Sequence, residues 1–199
     1  SMNLAMKNTN IIYSSSILGN NLAVGVGIAF NKKLKDNKGY VYVLTGDGAV
    51  EEGIFWESLI LAKTHNLKIL IIIENNNFSL GSSIEDRRCN IDFKNICKGL
   101  EIPFKKFNGS NYPLAKDILN LYKVSFSKGP IVLEVDLCTF NQHAGPTPGW
   151  STDPKEIDIR NGLIVDTSKM DPLNHLRSSI GEELFNSYSD KVLNELKIP

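Results

Sequence analysis

The sequence has 199 residues, with 22 Lys plus Arg and 22 Asp plus Glu, so its formal net charge is zero. That length suits one domain with a substantial core, and a neutral charge gives no support for nucleic acid or an anionic membrane as the main partner. Cys89, Cys97 and Cys138 are too few and too scattered for a disulfide framework or a zinc site. The longest apolar run, Ile69 to Ile73, is far too short to span a bilayer, and we predict a cytoplasmic protein.

Hydrophobic periodicity and turn residues predict alternating helices and strands along the chain. The second predicted helix is amphipathic, with Ile54, Leu59 and Ala62 facing inward and acidic residues in its first turn. In chain order the predicted elements are a helix over 18–34, a strand over 40–45, a helix over 51–65, a strand over 68–74, a polar loop over 75–83, a short strand over 104–107, a helix over 112–126, a strand over 130–137, an irregular stretch over 138–167 and a helical tail over 172–196.

The order of these elements predicts an α/β fold, in which a parallel sheet lies between helices on both of its faces. The strand from Lys68 to Glu74 is a β-branched run, which is typical of a strand that is buried on both faces. The helical tail begins after Asp171-Pro172, a pair that suits a helix start. We therefore predict one domain over residues 1–168 and a C-terminal helical extension of it over 169–199.

Two of the predicted strands end in residues that suit a phosphate or a metal ion. One strand leads into Gly46-Asp47-Gly48, and the next leads into Asn75-Asn76. In an open α/β sheet, ligands bind outside the carboxyl ends of the strands, so both segments emerge at the same edge. Glycines let backbone amides approach a phosphate, and Asp and Asn supply hard oxygen ligands for Mg²⁺. A lone Gly-Asp-Gly is also an ordinary turn, so the informative signal is the pair.

The spacing within this pair carries a family resemblance. Residues 49 to 74 separate Gly48 from Asn75, and these 26 residues are filled by one helix and one strand. The arrangement resembles the thiamine-diphosphate signature, in which GDG is followed after such an interval by NN. The string GDGAVEEGIFWESLILAKTHNLKILIIIENNNFS is similar to the alpha subunits of 2-oxo-acid dehydrogenase E1 components and to related transketolase-like proteins.

This resemblance implies a diphosphate-binding (PP-type) domain that holds thiamine diphosphate through Mg²⁺. In the matching positions, Asp47 and Asn76 would bind the metal by their side chains and Phe78 by its main-chain carbonyl. The amides of Gly48 and Ala49 would hold the diphosphate near the start of the following helix, where the helix dipole suits an anion.

Further positions complete the implied site. The segment Ser16-Ile17-Leu18-Gly19 resembles the one that lies along the aminopyrimidine ring, which implies contacts from Leu18 and Gly19. Gly46 belongs to the cofactor-binding set as the first residue of the motif. His143 follows the third strong strand, where the family carries a His near the thiazolium and the substrate. A His there is suited to hydrogen bonding or to proton transfer near neutral pH.

The resemblance also implies a partner. In this superfamily the Glu that activates the cofactor comes from a pyrimidine-binding domain, and nothing in the sequence resembles that domain. The resemblance to E1 alpha subunits does not extend to their N-terminal stretch, which usually adds Tyr and Arg contacts to the diphosphate. We therefore expect a chain that is inactive alone and forms an α₂β₂ assembly with an E1-beta-like or transketolase C-terminal-like subunit. The expected substrate is a small molecule.

Three functions stay open at this point. The first is E1-alpha-like decarboxylation of a 2-oxo acid with transfer of the activated aldehyde. The second is transfer of a two-carbon ketol unit between sugar phosphates, since the unusual Gly-Pro-Thr-Pro-Gly-Trp loop after His143 departs from the usual dehydrogenase pattern. The third is a non-catalytic scaffold that keeps the fold, against which the intact Asp47 and Asn76 argue. A Rossmann nucleotide binder is disfavoured, because no Gly-rich phosphate loop follows the first strand.

Overall fold

The computed structural model describes residues 5, 7, 9–125, 129–137, 157–160, 163–166 and 171–196. The helices in these ranges are α1 (Asn20–Leu34), α2 (Gly53–Thr64), α3 (Ile84–Arg87), α4 (Phe93–Gly99), α5 (Tyr112–Ser125), α6 (Pro172–Ile180) and α7 (Glu182–Leu196). The strands are β1 (Val41–Gly46), β2 (Ile69–Asn75), β3 (Phe78–Ser79), β4 (Ser82–Ser83), β5 (Phe104–Asn108), β6 (Ile131–Asp136), β7 (Ile157–Arg160) and β8 (Leu163–Asp166). A 3₁₀ turn, Ala49–Glu51, precedes α2.

Four parallel strands form the central sheet in the order β1-β2-β6-β5. The two inner strands are rich in β-branched residues, which favour a pleated and buried backbone. In the register of the sheet, Val41 pairs with Ile69 and Leu70 pairs with Ile131. Because all four strands run in the same direction, their carboxyl ends lie along a single edge.

Two apolar clusters cover the two faces of this sheet. On one face α1, α2 and α4 pack against β1 and β2 through buried residues that include Leu22, Phe55 and Ile71. On the other face α5 packs against β5 and β6, and its Ile118 contacts the cluster that contains Leu133. The prediction of an α/β fold with a parallel sheet between helices is therefore confirmed.

The start of α2 differs from the prediction. The helix begins at Gly53, so no acidic residue lies in its first turn, and Glu51 belongs to the 3₁₀ turn instead. The backbone of Glu52 is extended, with ψ at 138°, and this breaks the helical path between the turn and α2. Leu59 and Ala62 are buried as expected, whereas Ile54 is only half-buried.

Two segments that were predicted to be irregular contain strands. The stretch after Asn76 forms a small hairpin, in which β3 pairs antiparallel with β4. A second antiparallel pair, β7 with β8, lies within the predicted irregular stretch over 138–167. Both pairs are short, at two and four residues a strand, so periodicity carries little signal for them.

The helical tail begins where it was expected. Asp171 caps α6, since its carboxylate accepts a hydrogen bond from the Leu173 amide at 2.8 Å and Pro172 is the first helical residue. Within the described part of the chain, α6 packs against α5 and α7. None of the helices in that part combines the length and apolarity that crossing a bilayer requires.

Candidate functional site

The carboxyl ends of β1 and β2 lie side by side at the edge of the sheet. In the parallel register Gly46 pairs with Glu74. Neighbouring strands in a sheet lie about 4.8 Å apart, so the next residues, Asp47 just after β1 and Asn75 at the end of β2, lie at the same level. The structure therefore brings the two predicted segments together at one edge.

Asp47 is a buried carboxylate at this edge, with 4% of its surface exposed. One of its oxygens, Oδ2, lies 3.4 Å from Nη2 of Arg87. Burial raises the pKa of Asp47 above its ordinary value, and the charge and hydrogen bond of Arg87 oppose that shift. A carboxylate that is taken out of water needs cations near it to remain ionised. Asp47 is therefore suited to binding a metal ion.

The two glycines beside Asp47 have different surroundings. A Cβ atom on Gly48 would lie 2.7 Å from Oγ and 2.9 Å from Cβ of Ser79, so the β3–β4 hairpin leaves no room for a side chain there. A Cβ atom on Gly46 would meet no heavy atom within 4 Å. Gly48 is thus required by the packing of the hairpin, whereas Gly46 faces open space that a ligand can enter.

The asparagines after β2 have distinct partners. Nδ2 of Asn75 donates to Glu134 at 2.8 Å, and Oδ1 of Asn75 accepts from the Asn77 amide at 3.0 Å. Oδ1 of Asn76 accepts from the Phe78 amide at 3.1 Å. Since an amide oxygen has two lone pairs, this hydrogen bond does not by itself prevent Asn76 from also binding a metal ion. Both polar ends of the Asn75 side chain are used within the protein.

Two arginines beside Asp47 were missed by the sequence analysis. Arg87 and Arg88 end the α3 segment, and both donate through Nε to Oε1 of Glu51, at 3.0 and 3.2 Å. A local signal was present, because Ser83 and Asp86 form a capping box that starts α3. That spacing predicts a helix start, but the contact with Glu51 spans 36 residues and depends on the fold.

A second missed cluster lies on the far side of Asn75. Glu134 in β6 is buried and accepts a hydrogen bond from Nζ of Lys106 at 2.9 Å. The same ammonium lies 3.1 Å from Oδ1 of Asp136. The sequence places these three charges within strands β5 and β6, where alternation alone does not reveal that they meet.

The remaining predicted positions lie around this edge or outside the described residues. Gly19 precedes α1 with φ at +74°, and a Cβ atom there would lie 2.5 Å from Cγ2 of Ile54. Leu18 is 52% exposed, and Ala49 is buried in the 3₁₀ turn. Phe78 begins the β3–β4 hairpin. His143 lies outside the residues that the structure describes.

The donors at this edge fit Mg²⁺ with a diphosphate. The candidate set is one carboxylate, one side-chain amide oxygen and one main-chain carbonyl, from Asp47, Asn76 and Phe78. Mg²⁺ is commonly held by one or two carboxylates together with phosphate oxygens and water. Among the described residues, His, Cys, Asp and Glu nowhere gather in a group of three or more that could hold a metal. The open space at Gly46, the residue before Asp47, leaves this part of the backbone accessible to a ligand.

Comparison with known proteins identifies the family. The sequence model of the dehydrogenase E1 component family matches residues 1–160. The chain belongs to this family. The pyruvate dehydrogenase E1 component subunit alpha of Saccharomyces cerevisiae is 30% identical over 171 residues, which cover 82% of this chain and 38% of the relative. The corresponding subunit of Rhizobium meliloti is 23% identical over 185 residues, or 92% of this chain and 51% of the relative.

The family membership confirms the predicted resemblance to E1 alpha and transketolase-like proteins. The chain spans about half or less of the length of these E1 relatives. A solved transketolase from Campylobacter jejuni matches 62% of this chain and 20% of its own, with a TM-score of 0.55 and 24% sequence identity. At that identity, the match shows a common fold.

Proposed function

We propose that this chain is the diphosphate- and Mg²⁺-binding part of an E1-alpha-like thiamine-diphosphate enzyme. The enzyme would decarboxylate a 2-oxo acid and transfer the activated aldehyde. The supporting observation is the parallel register of β1 and β2, in which Gly46 pairs with Glu74. This register places the buried carboxylate of Asp47 beside the turn that carries Asn76, at the ligand-binding edge of a parallel sheet.

Each residue of the predicted diphosphate and metal site has a defined task in this proposal. Asp47 and Asn76 hold Mg²⁺ by their side-chain oxygens and Phe78 holds it by its carbonyl, so the metal neutralises part of the diphosphate charge. The Gly48 and Ala49 amides donate to the diphosphate. Together these contacts fix the position of the cofactor's anionic end relative to the sheet.

The reacting end of the cofactor is served by other positions. Thiamine diphosphate, when bound, supplies a thiazolium carbon that attacks the substrate carbonyl and stores its electrons. Leu18 and Gly19 would contact the aminopyrimidine ring. His143 hydrogen-bonds the substrate carboxylate or moves a proton near neutral pH.

The proposal includes a second subunit. A carboxylic acid must hydrogen-bond the aminopyrimidine, and two of the Glu residues near this edge are committed elsewhere: Glu51 pairs with two arginines, and Glu134 pairs with Lys106 and Asn75. A pyrimidine-binding subunit would supply that acid, and the cofactor would lie at the interface of an α₂β₂ assembly.

Calorimetry on the assembled protein tests the proposal. The chain is produced together with a pyrimidine-binding subunit, and thiamine diphosphate is titrated with and without Mg²⁺. We expect binding only when Mg²⁺ is present, and its loss in Asp47→Asn. Asp136→Asn, at the end of the neighbouring strand β6, is the matched control and should bind as the wild type does. Binding that needs no Mg²⁺, or that survives Asp47→Asn, contradicts the proposal.

A substrate screen separates the chemistries that share this cofactor site. The complex is offered pyruvate, branched 2-oxo acids and ketose phosphates. Release of carbon dioxide from a 2-oxo acid supports E1-like decarboxylation, whereas consumption of a ketose phosphate only when an aldose acceptor is present identifies two-carbon transfer. A complex that binds the cofactor and turns over none of them is a non-catalytic scaffold.

A further inference from the structure

Two adjacent arginines lie beside the proposed metal site but make different contacts. Arg87 and Arg88 are both nearly buried, with 14% and 12% of their side chains exposed, and both pair with Oε1 of Glu51. Arg87 also reaches Oδ2 of Asp47 at 3.4 Å. Arg88 instead donates through Nη1 to the carbonyl of its neighbour Cys89, at 3.0 Å. The chain therefore offers a matched pair of residues.

The contacts of Arg87 join three separate segments. Its Nη2 meets Asp47 after β1, its Nε meets Glu51 in the 3₁₀ turn, and its Nη1 donates to the Ser82 carbonyl in β4. The guanidinium is a planar fork with five donors in fixed directions, so a single group holds all three acceptors in one arrangement. The hairpin that contains Ser82 also contains Phe78. Arg87 thereby links the segment of Asp47 to the segment that follows Asn76.

The contact with Asp47 limits how that carboxylate is oriented. A carboxylate that is held on one oxygen cannot turn freely about its Cβ–Cγ bond, so the direction of the other oxygen is set by the protein. Groups that orient metal ligands in this way affect metal affinity, because a ligand that is already aligned loses less freedom when the metal binds.

We propose that Arg87 is a positioning residue for the Mg²⁺ site, which it serves by aligning Asp47 and by fixing the β3–β4 hairpin against the 3₁₀ turn. This inference rests on the proposed function, since it concerns the same cation. Arg88 shares the ion pair with Glu51 but acts on Asp47 through its charge alone, so it does not align that carboxylate.

Direct metal binding distinguishes the two arginines. The assembled protein is saturated with thiamine diphosphate and titrated with Mn²⁺ as a paramagnetic substitute for Mg²⁺, and free Mn²⁺ is followed by electron paramagnetic resonance. We expect Arg87→Gln to raise the Mn²⁺ dissociation constant by about 10- to 100-fold, as the loss of a residue that orients a metal ligand does. Arg88→Gln removes a charge near Asp47 but no group that orients its carboxylate, so it should change the constant by less than about fivefold.

A conservative variant separates alignment from charge. Arg87→Lys keeps the positive charge, but one ammonium cannot reach three acceptors in a fixed arrangement. We therefore expect Arg87→Lys to weaken Mn²⁺ binding well beyond the effect of Arg88→Gln. At excess Mn²⁺, the Arg87→Lys variant should still bind as many Mn²⁺ ions per cofactor site as the wild type does. Thermal melting of all variants reports whether each is folded, and Arg87→Lys carries the test if Arg87→Gln does not fold.

The outcomes distinguish the two levels of the proposal. A wild-type complex that binds no Mn²⁺ overturns the proposed function and this inference with it. If the wild type binds Mn²⁺ but Arg87→Gln and Arg88→Gln have equal Mn²⁺ dissociation constants, the proposed role of Arg87 is overturned and the proposed function is not. Wild-type affinity in Arg87→Lys also overturns it, because charge would then suffice without alignment.

Discussion

The buried carboxylate of Glu134 accepts a hydrogen bond from Nδ2 of Asn75 at 2.8 Å. Glu134 lies in β6, and Asn75 is the last residue of β2. Oδ1 of Asn75 accepts in turn from the Asn77 amide at 3.0 Å, so this contact extends into the turn that carries Asn76. One strand of the sheet therefore holds the turn at the end of its neighbour.

Removal of Glu134 should destabilise the protein and loosen this turn. In Glu134→Ala, both the Asn75 amide and the Lys106 ammonium lose a charged hydrogen-bond acceptor. We expect the free energy of unfolding to fall by about 1.5 to 3 kcal/mol, the usual size for a hydrogen bond to a charged group. Urea denaturation followed by circular dichroism measures this. Mg²⁺-dependent binding of thiamine diphosphate should weaken in the same variant, because Asn76 loses the support of its neighbour.

The control for this prediction lies two residues away. Asp136 pairs with the same Lys106 ammonium at 3.1 Å, but its side chain is 43% exposed. Asp136→Asn removes an ion pair that water screens, so we expect a loss below about 1 kcal/mol. Equal losses in the two variants would show that the hydrogen bond from Asn75 to Glu134 contributes little.

The central sheet could be predicted from the sequence because its signals are local. Four of the five residues from Ile69 to Ile73 are β-branched, and all but Ile72 are buried in the sheet. The placement of Asp47 beside Asn75 also followed from sequence, since carboxyl ends of parallel strands share an edge. These inferences need only the chain direction and the hydrophobic pattern.

The contacts around that edge could not be predicted in the same way. Arg87 meets Asp47 across 40 residues, and Glu134 meets Asn75 across 59 residues. The second contact depends on the strand order, in which β6 lies beside β2 although β5 comes first in the chain. The start of α2 was misplaced at Glu51 because the acidic residues looked like a first helical turn, whereas Glu51 pairs with arginines that follow the hairpin.

Burial of Cys97 predicts a stability change at alkaline pH. Desolvation raises the pKa of the Cys97 thiol from 9.0 to about 11. The unfolded chain ionises this thiol from about pH 9 upward while the folded chain keeps the proton, so ionisation favours unfolding and stability falls as pH rises through that interval. The loss should reach roughly 2 to 3 kcal/mol by pH 11. Urea denaturation of the wild type and of Cys97→Ala is measured at a series of pH values. The difference between their free energies of unfolding isolates the contribution of the Cys97 thiol.

Thiol labelling checks the same burial independently. Cys89 is exposed and Cys97 is buried, so iodoacetamide at pH 8 should modify Cys89 in the folded protein and spare Cys97 until denaturant is added. Peptide mass spectrometry assigns the modified positions. A stability difference that stays flat between pH 9 and 11, or rapid labelling of Cys97 in the native protein, would contradict the prediction.

The contact between Gly48 and Ser79 predicts a steric coupling. Gly48 has ordinary right-handed backbone angles, with φ at −74° and ψ at −33°, so an alanine there meets no backbone strain and only the clash with Ser79. We expect Gly48→Ala to cost about 1 to 3 kcal/mol, as overpacking does. Ser79→Gly in the same chain removes both clashing atoms and should recover most of the loss. A double-mutant cycle from urea denaturation measures this coupling, and an additive double variant would contradict it.

Gly46 provides the opposite case, in which binding changes and stability does not. A Cβ atom there meets no heavy atom of the protein within 4 Å, and alanine is better tolerated than glycine at a strand end because it loses less backbone entropy. Gly46→Ala should therefore keep the wild-type melting temperature or exceed it slightly. Under the proposed function, the added methyl group occupies the space beside Asp47 that the diphosphate enters. Calorimetry should then show weaker Mg²⁺-dependent binding of thiamine diphosphate, whereas unchanged binding would place the ligand away from Gly46.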